Sequence, residues 1–180
     1  MTDQFASLLN EFETRHPDEK ERVNRFRSLL ELPDAFVRTC RPGHFTASAL
    51  VFNPEKNAVL LVEHKKLGFW VQPGGHADGD TNLDSVARRE TFEETGIENL
   101  KGSGLIVDLD IHAIPARKDE TGHDHYDVRF LYIADKGQSL IISEESTDLK
   151  WVPLNEMDRY SHDESLRRMI QRGIDSPGII

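Results

Sequence analysis

Apolar residues near the start of the chain recur at helical spacing in two groups, and Pro17 lies between the groups. These residues are Phe5, Leu8, Leu9 and Phe12, and then Val23, Phe26, Leu29 and Leu30. The pattern predicts two short helices or a helical hairpin. Arg41-Pro42-Gly43 follows, and we place there the boundary between an N-terminal helical extension, residues 1–42, and a main domain, residues 43–180.

From residue 44 onward the spacing becomes strand-like. Residues 44–53 and 57–64 are rich in strand-forming side chains, and the Pro-containing turn between them predicts a hairpin. Further candidates are strands at 105–114, 125–134 and 148–154 and helices at 83–95 and about 154–172. For the helix at 83–95, Asn82 or Thr81 would be the N-cap and Gly96 the C-terminal end. The order of helices, strands, helix, strands and helix predicts a mixed α/β or α+β fold, without giving the strand order.

Composition narrows the classes of function. The 180 residues suit one domain with an extension, and the formal charge of −10 disfavours non-specific binding to nucleic acid or to an anionic membrane. A bound divalent cation would still allow a phosphate ligand to approach so acidic a surface. The single cysteine, Cys40, and the polar residues after Met1 favour a cytoplasmic protein without a secretory signal. No apolar run approaches the roughly 20 residues that span a bilayer.

The helix predicted at 83–95 carries an unusual cluster of acidic residues. At about 100° per residue, Glu90, Glu93 and Glu94 fall in one sector roughly 100° wide, on the stripe that is apolar in the first turns. Acidic side chains near the C-terminal end of a helix oppose its macrodipole. A hard divalent cation would offset this repulsion. The ordinary alternative is a solvated acidic face paired with Arg88 or Arg89.

Residues 75–97 resemble the Nudix box, G-x5-E-x7-R-E-U-x-E-E-x-G-U, in which U is a bulky apolar residue. The matching residues are Gly75, Arg89, Glu90, Glu93, Glu94, Gly96 and Ile97, all at the required spacing. Two positions differ, because Thr81 replaces the first Glu and Thr91 replaces the first apolar residue. The flanking strand candidates extend the resemblance over about residues 44–155.

The resemblance implies an α-β-α sandwich with a mixed sheet and a Mg²⁺- or Mn²⁺-dependent hydrolase. It also implies that Glu93 and Glu94 are the main metal ligands and that Glu90 is a metal ligand or the base that activates water. Arg89 would orient the carboxylates, and Gly75 would supply backbone freedom and a carbonyl ligand. Bound cations would let this acidic site approach a diphosphate and stabilise its developing charge.

The substitution at Thr81 leaves three alternatives open. Loss of the carboxylate could lower the affinity for metal. Asp78 or Asp80 could replace it. Alternatively, its absence could mark a module that binds a ligand without cleaving it. Thr91 should affect packing only.

Six of the eight histidines lie among the box and its flanking strand candidates. His123 and His125 form an H-x-H pattern, which places both rings on one face of a strand. A second set alternates onto one face of the preceding strand candidate and favours a polar site: Asp108, Asp110 and His112. We expect His76, His123 and His125 to contact substrate phosphates or ribose, or to hold a second metal. Scattered surface histidines are the ordinary alternative, and spacing alone does not decide.

Charged residues in two predicted loops are further candidates. Glu144 or Glu145 could supply a base from outside the box, as in some Nudix enzymes, although a solvated pair is the more ordinary interpretation. Arg117 and Lys118 could clamp a terminal phosphate. The phenylalanines of the extension need burial, so its helices pack on the domain, form a homodimer interface or cover the substrate.

The leading function is a pyrophosphohydrolase acting on a nucleoside diphosphate linked to another group, such as ADP-ribose, a nucleotide sugar or a dinucleotide. The alternative is a non-catalytic Nudix module that binds a nucleotide-like ligand or a partner protein, and Thr81 is the residue that favours it. A third possibility, isopentenyl diphosphate isomerase, would need a catalytic cysteine in the domain core, whereas Cys40 precedes the first strand candidate. No specific nucleic acid and no membrane is expected as a partner.

Overall fold

The computed structural model describes residues 2–66, 68–102, 104–116 and 121–176. Its helices are α1, Thr2–Arg15; α2, Lys20–Leu30; α3, Leu83–Thr95; and α4, Glu164–Asp175, with 3₁₀ segments at Pro17–Glu19 and Leu154–Arg159. Its strands are β1, Gly43–Phe52; β2, Ala58–His64; β3, Trp70–Val71; β4, Gly74–His76; β5, Leu100–Lys101; β6, Ile106–Ile114; β7, His123–Ala134; and β8, Ser146–Pro153. Within these ranges all eight strands belong to one mixed sheet.

The sheet is organised around β1. This strand pairs in parallel with β7 along its whole length, from Gly43 opposite Asp124 to Phe52 opposite Ile133. Its other edge pairs antiparallel with β4 and, at the far end, with β2. The predicted hairpin of β1 and β2 is therefore antiparallel but short, because β4 occupies part of the same edge. β6 and β5 pair with β7, while β8 and β3 pair with β2.

Helices cover both faces of the sheet, which confirms the predicted sandwich. One apolar cluster joins α1, α2 and α3 to side chains such as Phe45 and Phe130. The opposite cluster joins α4 to side chains such as Leu50 and Leu131. In the part of the chain that the structure describes, no helix combines the length and apolar character that a membrane crossing requires.

The N-terminal helices pack directly on this sheet. Phe5, Phe12 and Phe26 are buried, and the Phe5 and Phe26 rings lie 5.2 and 6.1 Å from the Phe45 ring of β1. Aromatic contacts at these centroid distances add to the free energy of burial. The helices thus share the core of the domain. The proposed division between residues 42 and 43, and the homodimer, stay predictions.

Helix α3 has the predicted bounds and caps. The Asn82 side chain accepts a hydrogen bond from the Ser85 amide, and Gly96 adopts the left-handed conformation that ends many helices, with φ 75°. The buried stripe continues through Thr91 and Thr95, whose hydroxyls donate to carbonyls one turn earlier. The expectation that this stripe becomes the three glutamates is therefore wrong, since threonines extend it and the glutamates lie beside it.

Asp108, Asp110 and His112 share one face of β6, as the alternation predicts, but at Asp108 this face is filled by an ion-pair network. Asp108 is fully buried and accepts hydrogen bonds from Arg129 of β7 and Arg168 of α4, at distances of 2.9–3.0 Å. Arg172 of α4 also binds Asp108. The network fastens α4 to the sheet, since a buried charge is tolerated only when it is paired.

We predict that Asp108→Ala lowers the free energy of unfolding by about 3–5 kcal/mol, because it leaves buried guanidinium groups without their shared carboxylate. Urea unfolding followed by circular dichroism measures this change. Asp148→Ala is the matched control, because Asp148 pairs with Lys150 in solvent and the expected loss is below about 1 kcal/mol. Equal losses in the two variants would contradict the assignment.

Candidate active site

Two consecutive glycines of β4 meet the C-terminal half of α3. β4 pairs with β1, which places Gly74 opposite Ser48 and Gly75 opposite Ala47. The Gly74 amide donates a hydrogen bond of 3.0 Å to the Glu94 carboxylate. A Cβ atom on Gly75 would lie only 2.3 Å from a carboxylate oxygen of Glu90. The absence of side chains at Gly74 and Gly75 therefore lets both carboxylates lie directly against the backbone.

The three glutamates differ in exposure. The side chain of Glu90 is 14% exposed and that of Glu93 is 54% exposed. Burial raises the pKa of Glu94 to about 7; the Gly74 amide opposes this shift, and the charges of Glu90 and Glu145 add to it. Burial likewise raises the pKa of Glu90, with Arg89 opposing the shift. A cluster of half-buried carboxylate oxygens fits a hard divalent cation.

Arg89 is the cation that the structure places at this cluster. One of its guanidinium nitrogens lies 2.8 Å from Glu90 and 3.6 Å from Glu93. The other donates a 3.1 Å hydrogen bond to the His76 carbonyl. Arg88 instead pairs with Asp84 at 2.9 Å. One guanidinium thus joins the glutamates to β4.

Thr81 lies before the first turn of α3, whereas the glutamates lie in its last turns. It borders a cavity of about 300 Å³ next to α1. Asp78 forms two hydrogen bonds with Arg38, at 2.6 and 2.7 Å, and Asp80 accepts one from the Asn82 amide. The charge of Asp78 adds to the raised pKa of Glu90, so replacement of the missing carboxylate by Asp78 or Asp80 stays a prediction.

The loop before β8 brings one of its two glutamates toward the cluster. Lys65 holds this loop, because its ammonium donates to the Glu144 carbonyl and its amide donates to the Glu145 carbonyl. The charge of Glu145 adds to the raised pKa of Glu94, so this loop acts electrostatically on the α3 carboxylates. The side chains of both loop glutamates are exposed.

Four of the histidines lie on one face of the sheet. His112, His125 and His44 are register partners across β6, β7 and β1. His76 of β4 lies opposite Thr46, which is two residues after His44 on β1. The His76 and His125 rings are 4.9 Å apart. The predicted H-x-H pattern does place two rings together, since His123 Nε2 lies 3.3 Å from His125 Nε2.

The structure also shows which residues sequence reasoning missed. Gly74 binds Glu94 through its amide, and the Gly-Gly pair was the only signal for it. Arg38 binds the box loop through Asp78, but it lies outside the box and carries no sequence signal. Arg117 and Lys118, the predicted phosphate clamp, lie outside the described residues.

Cys40 has no features of a nucleophile. It is fully buried, and burial together with a hydrogen bond to Asp34 raises the pKa of its thiol to about 11. The thiol is therefore protonated near neutral pH, while the reactive species is the thiolate. This agrees with setting aside an isomerase that uses a core cysteine.

A sequence profile of the NUDIX domain matches residues 42–173, and the chain belongs to this family. A Bacillus subtilis (strain 168) protein, provisionally named an 8-oxo-dGTP diphosphatase, is 31% identical over 106 residues, 59% of this chain and 64% of that protein. The match thus spans less than two thirds of this relative.

Solved structures share the fold. The E. coli dihydroneopterin triphosphate pyrophosphohydrolase has a TM-score of 0.58 at 17% identity, over 76% of this chain and 97% of that chain. A C. elegans Ap4A hydrolase in a binary complex has a TM-score of 0.53 at 17% identity, over 73% and 95% of the two chains.

We predict that Gly75→Ala weakens Mn²⁺ binding by about tenfold or more while the protein stays folded, because a methyl group would displace the flexible end of Glu90 rather than the backbone. Calorimetric titration with Mn²⁺ measures the affinity, and thermal unfolding checks the fold. Gly122→Ala is the matched control, since its Cβ would make only ordinary contacts at 3.4 Å or more. Unchanged Mn²⁺ affinity in Gly75→Ala would contradict this role.

Proposed function

We propose that this protein is a Mg²⁺- or Mn²⁺-dependent pyrophosphohydrolase that cleaves a phosphoanhydride bond of a nucleoside diphosphate derivative. The observation that carries the proposal is the pair of half-buried carboxylates, Glu90 and Glu94, held against the backbone of Gly74 and Gly75 with raised pKa values. Membership in the Nudix family supports it. So do the names of the similar proteins, which refer to 8-oxo-dGTP, dihydroneopterin triphosphate and Ap4A.

In this proposal the carboxylates of Glu90, Glu93 and Glu94 hold the cation. When bound, such a cation lowers the pKa of its water and neutralises charge on the phosphate oxygens. The Gly74 amide fixes Glu94, and Arg89 fixes Glu90 and Glu93. The ligands therefore need little reorganisation when the substrate arrives, and preorganised groups stabilise a transition state most strongly.

We assign the general base to Glu145 rather than Glu144. Lys65 holds the backbone carbonyls of both residues, but Glu145 is the loop glutamate whose charge adds to the raised pKa of Glu94. Water attacks one phosphorus atom of the anhydride, and its proton passes to the Glu145 carboxylate. The bond between that phosphorus and the bridging oxygen breaks, so two phosphorylated products leave.

The non-catalytic alternative rested on Thr81. Because Thr81 lies at the opposite end of α3 from the carboxylates, its effect on cation binding should be small. Four other expectations stay predictions. They are substrate contacts by His76, His123 and His125, a phosphate clamp by Arg117 and Lys118, homodimer formation and a cytoplasmic location.

We predict that Glu94→Gln lowers kcat/KM by at least about a hundredfold, because it removes a charged ligand from the cation site. Release of phosphorylated products is measured by anion-exchange chromatography for ADP-ribose, nucleotide sugars, dinucleotides and nucleoside triphosphates, with and without Mg²⁺ or Mn²⁺. Glu98→Gln, which removes a charge just beyond α3, is the control. Absence of turnover on every substrate with the wild type would favour the non-catalytic module, and full activity of Glu94→Gln would refute the proposed site.

We further predict that Glu145→Gln lowers kcat by about 10²–10⁴-fold, the range for loss of a general base. KM and Mn²⁺ affinity should change little, because Glu145 is not a proposed metal ligand. Glu144→Gln is the neighbouring control and should retain wild-type kcat. Equal effects of the two substitutions would exclude Glu145 as the base.

A further inference from the structure

Three histidines converge at the start of the parallel strand pair. β1 and β7 place His44 directly opposite His125, and His123 lies two residues earlier on the same face of β7. The His44 ring lies 4.9 Å from each of the other two rings. One ring nitrogen from each residue can be chosen such that all three lie within 4.8 Å of one another.

The burial of the His44 ring without hydrogen bonds needs an explanation. It is only 1% exposed, and within the described residues neither of its ring nitrogens has a hydrogen-bond partner. The Cys40 backbone interacts with the ring without reaching hydrogen-bond geometry. A buried polar atom without a partner loses its hydration and gains no bond in return, which destabilises the folded state. An ion bound at the ring is one of the few arrangements that remove this cost.

His123 already has the tautomer that a metal ligand needs. Its Nδ1 lies 3.0 Å from the Thr121 carbonyl, which can only accept, so this nitrogen carries the hydrogen. In this tautomer the Nε2 carries the lone pair and lies toward His125. Metal-bound histidines usually have their second nitrogen fixed in this way by a carbonyl or carboxylate.

The spacing of the two β7 rings also suits a shared ion. Their Nε2 atoms are 3.3 Å apart. Two nitrogens bound to Zn²⁺ at 2.0–2.1 Å in tetrahedral geometry are separated by about 3.3 Å. A hydrogen bond between these rings would have the same length, but it would leave His44 unsatisfied.

The donor set favours a cation over an anion. His44, His123 and His125 each offer a ring nitrogen to the same small space. Neutral imidazole is the commonest side-chain ligand of transition metals.

We propose that His44, His123 and His125 form a binding site for a divalent transition metal of the Zn²⁺ class, distinct from the carboxylate site on α3. Three imidazoles leave one of four tetrahedral positions for water or another ligand. Imidazole nitrogen suits Zn²⁺, whereas Mg²⁺ prefers oxygen, so the two sites would select different ions. The ion would join β1 to β7 where their pairing begins.

Calorimetric titration of the metal-free, full-length Glu90→Gln/Glu94→Gln protein with Zn²⁺ tests the proposal, because this variant weakens the carboxylate site and keeps every histidine. We expect about one equivalent of Zn²⁺ to bind and the melting temperature to rise. Co²⁺ should give visible absorption bands of a nitrogen-bound tetrahedral ion. Long-range ¹H–¹⁵N spectra should show Zn²⁺-induced shifts of the three proposed rings.

His44→Leu and His125→Asn, made in the same background, should weaken Zn²⁺ binding at least tenfold. His162→Asn is the control, because His162 is an exposed histidine outside the cluster. Absence of Zn²⁺ binding in the parent variant would overturn the proposal without any histidine substitution, even if His44→Leu fails to fold. Equal Zn²⁺ affinity in the control and the cluster variants would also overturn it. So would ring shifts caused by inorganic phosphate but not by Zn²⁺.

Discussion

The parallel pairing of β1 with β7 is the constraint on which the rest of the structure depends. It joins segments about eighty residues apart and runs from Gly43 to Phe52 without a break in register. Because side chains alternate between faces, one register decides the surroundings of both faces at once. Phe45 faces the core shared with the N-terminal helices, while His44 faces His125 on the other side. A slip of one residue would exchange these two environments.

The polar face of this sheet obeys the rule that buried charges must be paired. Asp108 and Arg129 lie on neighbouring strands, and the arginines of α4 complete the network. Arg172 also binds Glu19, which precedes α2. One set of ion pairs therefore connects the sheet, the C-terminal helix and the N-terminal extension. Such a network adds specificity of arrangement, because its members have no acceptable alternative partners in an apolar interior.

The candidate active site depends on close approach between side chains and backbone. Gly74 and Gly75 allow the α3 carboxylates to reach the β4 backbone, and Arg89 connects the same two elements. The extension contributes as well, since Arg38 holds Asp78 in the loop that leads to α3. Contacts with the backbone and with arginine side chains thus fix the positions of the carboxylates before any ligand binds.

The sequence alone determined the bounds of α3, the glutamates it carries and the family, because helix caps, spacing and the Nudix box are local patterns. It also showed that Asp108, Asp110 and His112 share a face, since alternation along a strand is local too. Only the tertiary structure decided that arginines fill this face at Asp108, that Thr91 and Thr95 extend the core and that the charge of Glu145 acts on Glu94. Strand order brings these residues together, and a parallel pairing between distant segments leaves no signal in the local pattern of either one.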